Sequence, residues 1–389
     1  MRIGIDARLW NESGVGRYVR NLVEQLQLID HENKYVLFVG SKDYENVKCQ
    51  MSNVKWRLVK ADIGWHTLEE QLKFPLIINK ENLDLMHFPY FSVPIIYNKP
   101  YVVTIHDLIL HHFPTGLAST LPRYLYRLKL LGYKFVIKKA AQNAKKIITV
   151  SNATRDEIID HLKIEPSKVV VTYEGIDNKI SNIKYQMSKT PASRKLQRGE
   201  QIKNQKYFLY VGNVYPHKNL ERMLSAFENV KCQMSNVKLV LVGKEDYFYK
   251  RLKEKVKKVN LEKSVLFYGE VSDEELVELY KNAKALIVPS LMEGFGLPGL
   301  EAMANKCLVL SSDIPSLREI YGNAALFFNP YDINDIKKTM DSVCFNDLPR
   351  GNAGLNHFSK QIERGLERTK MFSWEKMAKE TLKTYESRK

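Results

Sequence analysis

Two glutamates separated by a glycine-rich segment form the pattern with the clearest chemical potential in this sequence. The segment reads Glu293-Gly294-Phe295-Gly296-Leu297-Pro298-Gly299-Leu300-Glu301. It lies between an apolar run, 285–288, and a helix-forming run, 301–304, which predicts a loop between a buried strand and a helix. Ionised carboxylates accept hydrogen bonds from hydroxyls, and glycines at a helix start expose N–H groups to anionic oxygen. The pattern therefore indicates a ligand with hydroxyl and phosphate groups, and an ordinary turn is the alternative.

A lysine at a second strand-to-helix junction adds positive charge. The predicted strand 206–212 leads through Asn213 to Lys218, and a helix is predicted at 220–229. A lysine beside a helix N-terminus is suited to a leaving diphosphate, since both attract anions. The alternative is an ordinary surface lysine.

The N-terminal part of the chain also begins with a strand and a glycine-containing loop. The predicted strand 3–6 is followed by Gly14 and Gly16, which precede an amphipathic helix with Ser13 as its candidate N-cap. The backbone of this loop is a candidate phosphate contact, and a tight turn is the alternative interpretation.

Polar residues follow two further predicted strands of this part. His106 and Asp107 come directly after the strand 101–105, and Ser151 follows the strand 146–150 as the candidate N-cap of a helix. Open parallel sheets bind ligands at the carboxyl ends of their strands, so these residues are candidate site residues. For His106 the alternative is a purely structural histidine.

These motifs resemble those of a known enzyme family. The pattern Glu-x7-Glu in EGFGLPGLEAMA, preceded by Pro289-Ser290, resembles the donor-site signature of family 4 retaining glycosyltransferases. The tripeptide His106-Asp107-Leu108 and the segment Pro216-His217-Lys218-Asn219 resemble the mannosyltransferase-like members. The resemblance covers nearly the whole chain. It implies an α/β protein of the GT-B class, with two Rossmann-like doubly wound domains that face each other across a cleft.

The resemblance also implies roles for individual residues. Glu293 orients the sugar hydroxyls, Glu301 binds the ribose, and His106 positions the sugar at its anomeric carbon. Lys218 stabilises the diphosphate, although many members carry arginine where this chain has Asn213. Ser151 lies near the acceptor. The remaining substrate-binding candidates are backbone positions of the two glycine-containing loops, namely Gly14, Gly16, Gly294, Phe295, Gly296 and Leu297.

The implied reaction is transfer of a hexose from a nucleoside diphosphate sugar to a carbohydrate or lipid-linked glycan acceptor, with retention of configuration. GDP-mannose is the expected donor, and a UDP-sugar is the main rival. We expect neither a bound cofactor nor a metal ion, because no Asp-x-Asp motif follows a strand and His111 and His112 lack cysteine or carboxylate partners in the sequence. A UDP-sugar 2-epimerase of the same fold is a further alternative.

The sequence predicts two domains with a linker. Residues 1–177 form the first domain, 178–205 a polar, lysine-rich linker, and 206–372 the domain that binds the nucleotide sugar. Ser373 is the candidate N-cap of a C-terminal helix, 373–389, which in the resembled family crosses back onto the first domain. Ser272 to Glu275 forms a predicted capping box in the second domain.

The composition indicates a protein of the cytoplasm. Of its 389 residues 44% are hydrophobic, and no run approaches the ~20 apolar residues of a membrane span. The N-terminus enters a strand without a separate apolar region, so we expect no cleaved signal peptide. The four cysteines are widely spaced and argue against a zinc site or a disulfide framework.

A basic stretch and the net charge of +16 indicate an anionic partner. Residues 122–146 carry eight Lys or Arg and no acid, interleaved with apolar residues, and predict an amphipathic helix interrupted at Gly132. One interpretation is peripheral binding to the inner face of the plasma membrane; the other is a core-packing helix with a solvated basic face. We expect no nucleic-acid partner, because no recognition motif accompanies the charge. A non-catalytic surface-binding protein is the alternative to an enzyme.

One segment occurs twice without an evident function. The eleven residues 45–55 recur identically at 228–238, and both copies precede a predicted strand. Domain duplication seldom preserves such identity, so we assign this repeat no site.

Overall fold

The computed structural model divides the chain into two compact units. The first comprises Met1–Gly175 and Ser373–Lys389, and the second Ile176–Phe372. The residues that the structure describes are 1–12, 14–51, 56–114, 122–177, 180, 202, 205–230, 237–345 and 358–387. Almost all of the predicted linker, as well as Ser13 with its predicted capping role, lies outside these residues.

The first unit is built on a parallel sheet of seven strands in the order β3-β2-β1-β4-β5-β6-β7. In chain order the strands are β1 (Arg2–Asp6), β2 (Lys34–Val39), β3 (Trp56–Lys60), β4 (Leu85–Phe88), β5 (Tyr101–Ile105), β6 (Lys146–Thr149) and β7 (Val169–Val171). Strands β1, β4, β5 and β6 are apolar and largely buried, as expected of parallel strands covered on both faces.

Helices connect the strands of this sheet. They are α1 (Val15–Ile29), α2 (Ser41–Gln50), α3 (Leu68–Asn79), α4 (Ile109–His112), α5 (Arg123–Asn143) and α6 (Asn152–Leu162). The C-terminal helix, Trp374–Glu386, belongs to the same unit and packs on α1. Gly175 permits this packing, because a Cβ there would lie 2.1 Å from the backbone nitrogen of Trp374.

The second unit has a parallel sheet of six strands in the order β10-β9-β8-β11-β12-β13. These strands are β8 (Tyr207–Val211), β9 (Lys238–Val242), β10 (Val265–Gly269), β11 (Ala285–Val288), β12 (Val309–Ser312) and β13 (Leu326–Phe328). The helices are α7 (Leu220–Glu228), α8 (Tyr247–Lys258), α9 (Asp273–Asn282), α10 (Leu297–Ala304), α11 (Pro315–Tyr321), α12 (Ile333–Phe345) and α13 (Ser359–Thr369). The C-terminal helix of the first unit is α14 in this numbering.

Both sheets have the doubly wound topology that the sequence predicts. In each, the chain first builds strands outward on one side and then on the other, which leaves a switch point between β1 and β4 in one unit and between β8 and β11 in the other. Helices that follow adjacent strands at a switch point start on opposite faces of the sheet, and the gap between them is where such folds bind ligands.

Several local predictions are confirmed by hydrogen bonds. Ser151 and Ser373 cap α6 and α14, and Ser272 forms a complete capping box with Glu275 at the start of α9. None of the helices in the described part of the chain combines the length and apolarity needed to cross a bilayer.

Two expectations are wrong. Helix α5 runs without a break through Gly132, because a single glycine lowers helix stability only modestly. Cys344 is disulfide-bonded, whereas Cys49 and Cys307 are free thiols, so wide spacing in the sequence did not exclude a disulfide.

Candidate active site

Lys218 and Glu293 form an ion pair at the switch point of the second sheet. Lys218 ends the short 3₁₀ helix that follows β8, and Glu293 lies in the loop that follows the adjacent strand, β11. The Lys218 Nζ donates to Glu293 Oε1 over 2.6 Å, and the two side chains are only 17% and 14% exposed. Ser290 donates a second hydrogen bond of 2.6 Å to the same oxygen. Residues 75 positions apart in the chain thus form one charged centre.

The surroundings of Glu293 keep its carboxylate ionised. Burial raises the pKa of Glu293, but the charge and hydrogen bond of Lys218 and the hydroxyl of Ser290 outweigh it, and the net pKa is lowered. A partly buried carboxylate with two donors on one oxygen retains acceptor capacity on the other. Such a group can accept hydrogen bonds from the hydroxyls of a ligand.

Asn219, which sequence reasoning did not single out, holds the loops of this centre together. Its side-chain amide donates to the carbonyl of Pro289, in the β11 loop, over 3.0 Å and to that of Pro330, after β13, over 2.8 Å. Arg222 donates to the Asn219 side-chain oxygen over 2.6 Å. Asn219 has a φ of 60°, a left-handed conformation that asparagine tolerates better than most residues. The sequence pointed to the adjacent Lys218, but nothing in it indicated that Asn219 connects these two loops.

His217 adds a partly buried neutral ring beside the pair. Burial, with a smaller contribution from the charge of Lys218 and an opposing effect of Glu293, lowers its pKa to about 4. The His217 carbonyl accepts a hydrogen bond of 2.8 Å from the backbone N–H of Leu291, which ties the β8 and β11 loops together.

Helix α10 begins directly after Glu293 at a glycine. Gly296 is its N-cap with a φ of 90°, and Leu297 and Pro298 form its first turn. Gly296 has no side chain with which to cap the helix. Pro298 has no N–H and the Gly299 N–H donates to the Gly296 carbonyl over 3.2 Å, so the Leu297 N–H is the candidate donor of the first three positions to an anion. Both the predicted loop and the helix start are therefore present.

The spacing of these glycines has a packing cause that the sequence did not reveal. A Cβ on Gly299 would lie 2.2 Å from Tyr321 Cζ, and one on Gly296 would lie 2.5 Å from the Tyr321 hydroxyl. That hydroxyl donates to the Gly296 carbonyl over 2.6 Å. Gly299 thus makes room for a buried tyrosine rather than for a ligand.

Glu301, the predicted ribose-binding residue, is almost completely buried. Helix α10 starts at Leu297, so Glu301 is past the first turn in which we expected it, and the residue is only 1% exposed. Its carboxylate accepts a hydrogen bond of 2.9 Å from the Tyr280 hydroxyl. Ribose binding by Glu301 stays a prediction, and the structure adds Tyr280 as the residue that orients this carboxylate.

The other predicted site residues of this unit make contacts within the protein. Phe295 is buried, with its ring 5.5 Å from that of Phe372, so its side chain belongs to the core. Gly294 is buried beside it in the loop. The carbonyl of Asn213 accepts a hydrogen bond from the buried Tyr210 hydroxyl, and its side chain accepts from the backbone N–H of Tyr215 over 3.5 Å.

In the first unit His106 lies between two acceptor oxygens. Its Nε2 is 3.0 Å from the Pro89 carbonyl, and its Nδ1 is 3.5 Å from Glu174 Oε1. The ring of Tyr18 packs edge-on at 4.9 Å. His106 follows β5, and Glu174 follows β7, so both lie at the carboxyl edge of the sheet. Glu174, which the sequence analysis did not select, is an acidic neighbour of the ring.

A buried polar chain lies beneath His106. His87 is fully buried, with Nδ1 2.6 Å from the Tyr385 hydroxyl of α14 and Nε2 2.8 Å from the Thr104 hydroxyl. Burial lowers the pKa of His87 to about 3, with a smaller contribution from His106. The neutral ring thus links the C-terminal helix to the strand that carries His106.

The structure gives Gly14, Gly16 and Ser151 local roles. Gly14 has a φ of 70° at the start of α1 and open space around its Cα, whereas a Cβ on Gly16 would lie 2.5 Å from the Leu9 carbonyl. The Ser151 hydroxyl is fully buried and is engaged with Thr154 in capping α6. Ser151 thus caps α6, and its place near the acceptor stays a prediction. Gly14 is exposed, as are Asn11 and Glu12 of the same loop.

The two units thus carry different chemistry. The second combines a lysine, an ionised carboxylate and a helix N-terminus, which suits a phosphorylated, hydroxyl-rich ligand. The first carries a histidine–glutamate pair on its sheet edge. Among the described residues no group of three or more His, Cys, Asp or Glu is arranged to hold a metal ion.

Two family models match the chain, one on each unit. The model described as "Glycosyltransferase Family 4" matches residues 13–179. The model described as "Glycosyl transferases group 1" matches residues 193–356.

Curated relatives resemble the chain over most of its length. It is 27% identical over 390 residues to O-antigen chain mannosyltransferase B of Escherichia coli, with 96% of each chain covered. It is 28% identical over 295 residues to O-antigen chain mannosyltransferase RfbU of Salmonella typhimurium, which covers 76% of this chain and 74% of the relative.

The solved structures show the same fold. Sucrose-phosphate synthase from Thermosynechococcus elongatus superposes with a TM-score of 0.76 and 20% identity, over 99% of this chain and 98% of the other. At this identity the likeness is evidence for fold alone, and the fold is GT-B.

Proposed function

This chain belongs to the family 4 glycosyltransferases, and from that premise we propose that it transfers mannose from GDP-mannose to a glycan acceptor. The observation that carries the proposal is the Lys218–Glu293 pair at the switch point of the second sheet. Its lysine suits the diphosphate and its carboxylate suits the sugar hydroxyls. The relatives named as O-antigen chain mannosyltransferases support mannose as the sugar and surface polysaccharide as the product.

In the proposed reaction the bond between the anomeric carbon and the diphosphate oxygen breaks. An acceptor hydroxyl oxygen forms the new bond on the same face of the sugar, and its proton passes to the leaving diphosphate. Lys218 and the N-terminus of α10 stabilise the negative charge that grows on the diphosphate. Glu293 holds the sugar hydroxyls while the anomeric carbon becomes cationic, and Glu301 binds the ribose.

We assign His106 to the transferred sugar and the first unit to the acceptor. The histidine is held by Pro89 and Glu174, so its ring has a defined orientation at the edge of the sheet. The acceptor in this proposal is a carbohydrate or a lipid-linked glycan, and we place the reaction in the cytoplasm, at the inner face of the plasma membrane for a lipid-linked acceptor.

We propose that turnover needs no added divalent metal. The support is the positive charge that Lys218 and the helix start already direct toward the diphosphate. Retention of configuration is part of the proposal through the family resemblance.

The test is a transfer assay with GDP-mannose and UDP-hexoses, lipid-linked glycans and aryl mannosides as acceptors, with and without EDTA. The proposal expects mannose transfer from GDP-mannose, unaffected by EDTA, with an α-linked product identified by its anomeric coupling constant. Lys218→Ala should lower kcat by roughly 10²- to 10³-fold. The matched control Lys263→Ala removes an exposed lysine that precedes β10 and should leave kcat unchanged. Turnover with UDP-hexoses alone would show that the donor is a UDP-sugar and not GDP-mannose. The absence of transfer from any nucleotide sugar would contradict the proposed function.

A further inference from the structure

Helix α5 carries large apolar side chains that are exposed to solvent. Leu128, Leu131 and Phe135 are 63%, 65% and 54% exposed. The helix is buried through Ile137, Ala140 and Ala141 in its C-terminal part, and Tyr133 on another face contacts Phe91 and His111. A packed core helix would bury such side chains along its whole length, so this helix has an apolar surface without a partner in the described part of the chain.

Helix α3 exposes a second apolar stripe. Leu68, Leu72 and Leu76 are spaced four residues apart, which places them on one helix face, and they are between 62% and 83% exposed. The other face of the helix is buried through Phe74 and Ile78. The exposed leucines are therefore not required for the packing of this helix against the core.

Contacts within the unit bring these two helices and residues 91–96 into one neighbourhood. The Gln71 side chain on α3 accepts from the backbone N–H of Ile95 over 2.8 Å. The ring of Phe91 lies 4.9 Å from that of Tyr133 on α5 and 5.3 Å from that of His66, which precedes α3. Ile95 and Ile96 are themselves exposed. We call α3, residues 91–96 and α5 together the apolar–basic surface.

The charge of this surface is positive. Helix α5 contains no acidic residue, and the side chains of Arg127, Lys129, Lys134, Lys138 and Lys139 are exposed. Burial lowers the pKa of His66, and the charge of Lys129 lowers it further, which is consistent with α5 lying close to the start of α3. Exposed leucines and a phenylalanine interleaved with lysines are the composition of helices that lie in the interface of an anionic bilayer.

We propose that the apolar–basic surface docks the chain on an anionic lipid bilayer. The leucines and Phe135 enter the boundary between headgroups and acyl chains, and the basic side chains contact the anionic headgroups. A second copy of this chain is a poorer occupant, because two such helices would bring lysines against lysines. The proposal requires neither donor nor acceptor and is independent of glycosyl transfer.

The test is co-flotation of the full-length protein with vesicles at about 0.1 M salt, without substrates. The protein should float with vesicles of 70% phosphatidylcholine and 30% phosphatidylglycerol and remain unbound with phosphatidylcholine alone. Lys134→Glu/Lys138→Glu should lower the partition coefficient at least about tenfold, because each basic side chain near the surface contributes attraction. Leu128→Gln/Leu131→Gln and Leu72→Gln/Leu76→Gln should each lower it by a similar factor.

Two control variants separate this surface from general effects. Lys257→Glu/Lys258→Glu makes the same charge change on exposed lysines of α8, and Leu28→Gln removes a leucine of α1 that is 64% exposed. Both controls should float like the unmodified protein, and circular dichroism should show that all variants are folded.

Three outcomes would overturn the proposal. One is the absence of binding to the anionic vesicles. Another is equal loss of binding in the α5 variants and the α8 control, which would indicate attraction by net charge alone. The third is a dimer in sedimentation velocity without lipid that Leu128→Gln/Leu131→Gln converts to a monomer, because the surface would then join two copies of the chain.

Discussion

Lys218 Nζ lies 2.6 Å from Glu293 Oε1, and the two residues follow adjacent strands at the switch point of their sheet. Neither residue is fully buried and neither is free, so the pair is poised to exchange one partner for another when a ligand arrives. A lysine that leaves a carboxylate for a diphosphate retains an anionic partner. The Glu293 carboxylate then keeps its hydrogen bond from Ser290 and can accept further hydrogen bonds from the hydroxyls of the sugar.

Separate roles for the two partners lead to a prediction for Glu293→Gln. The amide cannot accept as many hydrogen bonds as the carboxylate, so the sugar should lose affinity while the diphosphate does not. We expect GDP-mannose to bind about tenfold more weakly and GDP to bind within about twofold of the unmodified protein. Isothermal titration calorimetry with both ligands measures the difference. Equal weakening of GDP and GDP-mannose would mean that Glu293 does not recognise the sugar.

His106 should act on turnover rather than on nucleotide binding. His106→Ala removes the ring that is held by Pro89 and Glu174, and a misplaced sugar lowers the rate by about 10²-fold. The affinity for GDP, whose proposed contacts lie in the second unit, should stay within about twofold. Steady-state kinetics with calorimetry separates the two effects. Glu174→Gln keeps the ring and should have a smaller effect on kcat; a larger effect than that of His106→Ala would reverse the assignment.

The packing of Gly299 against Tyr321 predicts a loss of stability. The Cβ of Gly299→Ala would lie 2.2 Å from Tyr321 Cζ, so the ring must move, at a cost of about 1–3 kcal/mol. Calorimetry should show a lower melting temperature.

Gly132→Ala is the matched control for that substitution. No atom lies within 4 Å of a Cβ at this exposed position of α5, and alanine should stabilise the helix by about 0.5–1 kcal/mol. A Gly299→Ala protein that melts at the temperature of the unmodified protein would show that Tyr321 does not confine this glycine.

Two histidines with lowered pKa values predict destabilisation in mild acid. Burial lowers the pKa of His87 to about 3 and that of His217 to about 4, below the value of about 6.5 in an unfolded chain. Between those values the unfolded state binds a proton at each ring that the folded state does not. The free energy of unfolding should therefore fall, as the pH falls below about 6.5, by about 1.4 kcal/mol per pH unit for each histidine.

Denaturant titrations at pH 7, 6 and 5 measure this slope. His87→Gln and His217→Gln should each flatten it, whereas His31→Gln, at an exposed position, should not. If neither His87→Gln nor His217→Gln changes the slope, other groups cause the acid sensitivity.

Local signals in the sequence were sufficient for the parts of the structure that short-range interactions decide. Strands β8 and β11, the caps at Ser151, Ser272 and Ser373, and the loop from Glu293 to Leu297 all depend on residues near one another in the chain. Glycine placement, capping side chains and apolar runs report such structure directly.

The residues that the sequence did not reveal act over long distances. Asn219 bonds to carbonyls 70 and 111 positions away, and His87 contacts a hydroxyl 298 positions away. No pattern within either segment encodes such partners. Helix α3 was likewise not predicted, and its exposed leucines became visible only when the buried face was known.

The repeated segment shows most directly that local sequence alone does not determine local structure. In the first copy Glu45–Gln50 is helical and Val47 is fully buried, whereas in the second copy the helix ends at the first residue, Glu228, and Val230 is only partly buried. Identical residues thus take different local structures, because the packing around them differs.

Nucleotide affinity is the sharpest test of the Lys218–Glu293 centre: GDP, UDP and ADP are titrated, without added metal, into the unmodified protein, Lys218→Ala and the control Lys263→Ala. We expect selective binding of GDP, an affinity about 10- to 100-fold lower in Lys218→Ala, and no change in the control. At a concentration of 100 times the dissociation constant, GDP should also stabilise the unmodified protein by about 2.7 kcal/mol. Absence of binding by all three nucleotides, or equal GDP affinity in Lys218→Ala and the control, would contradict the assignment of the Lys218–Glu293 centre to a nucleotide sugar.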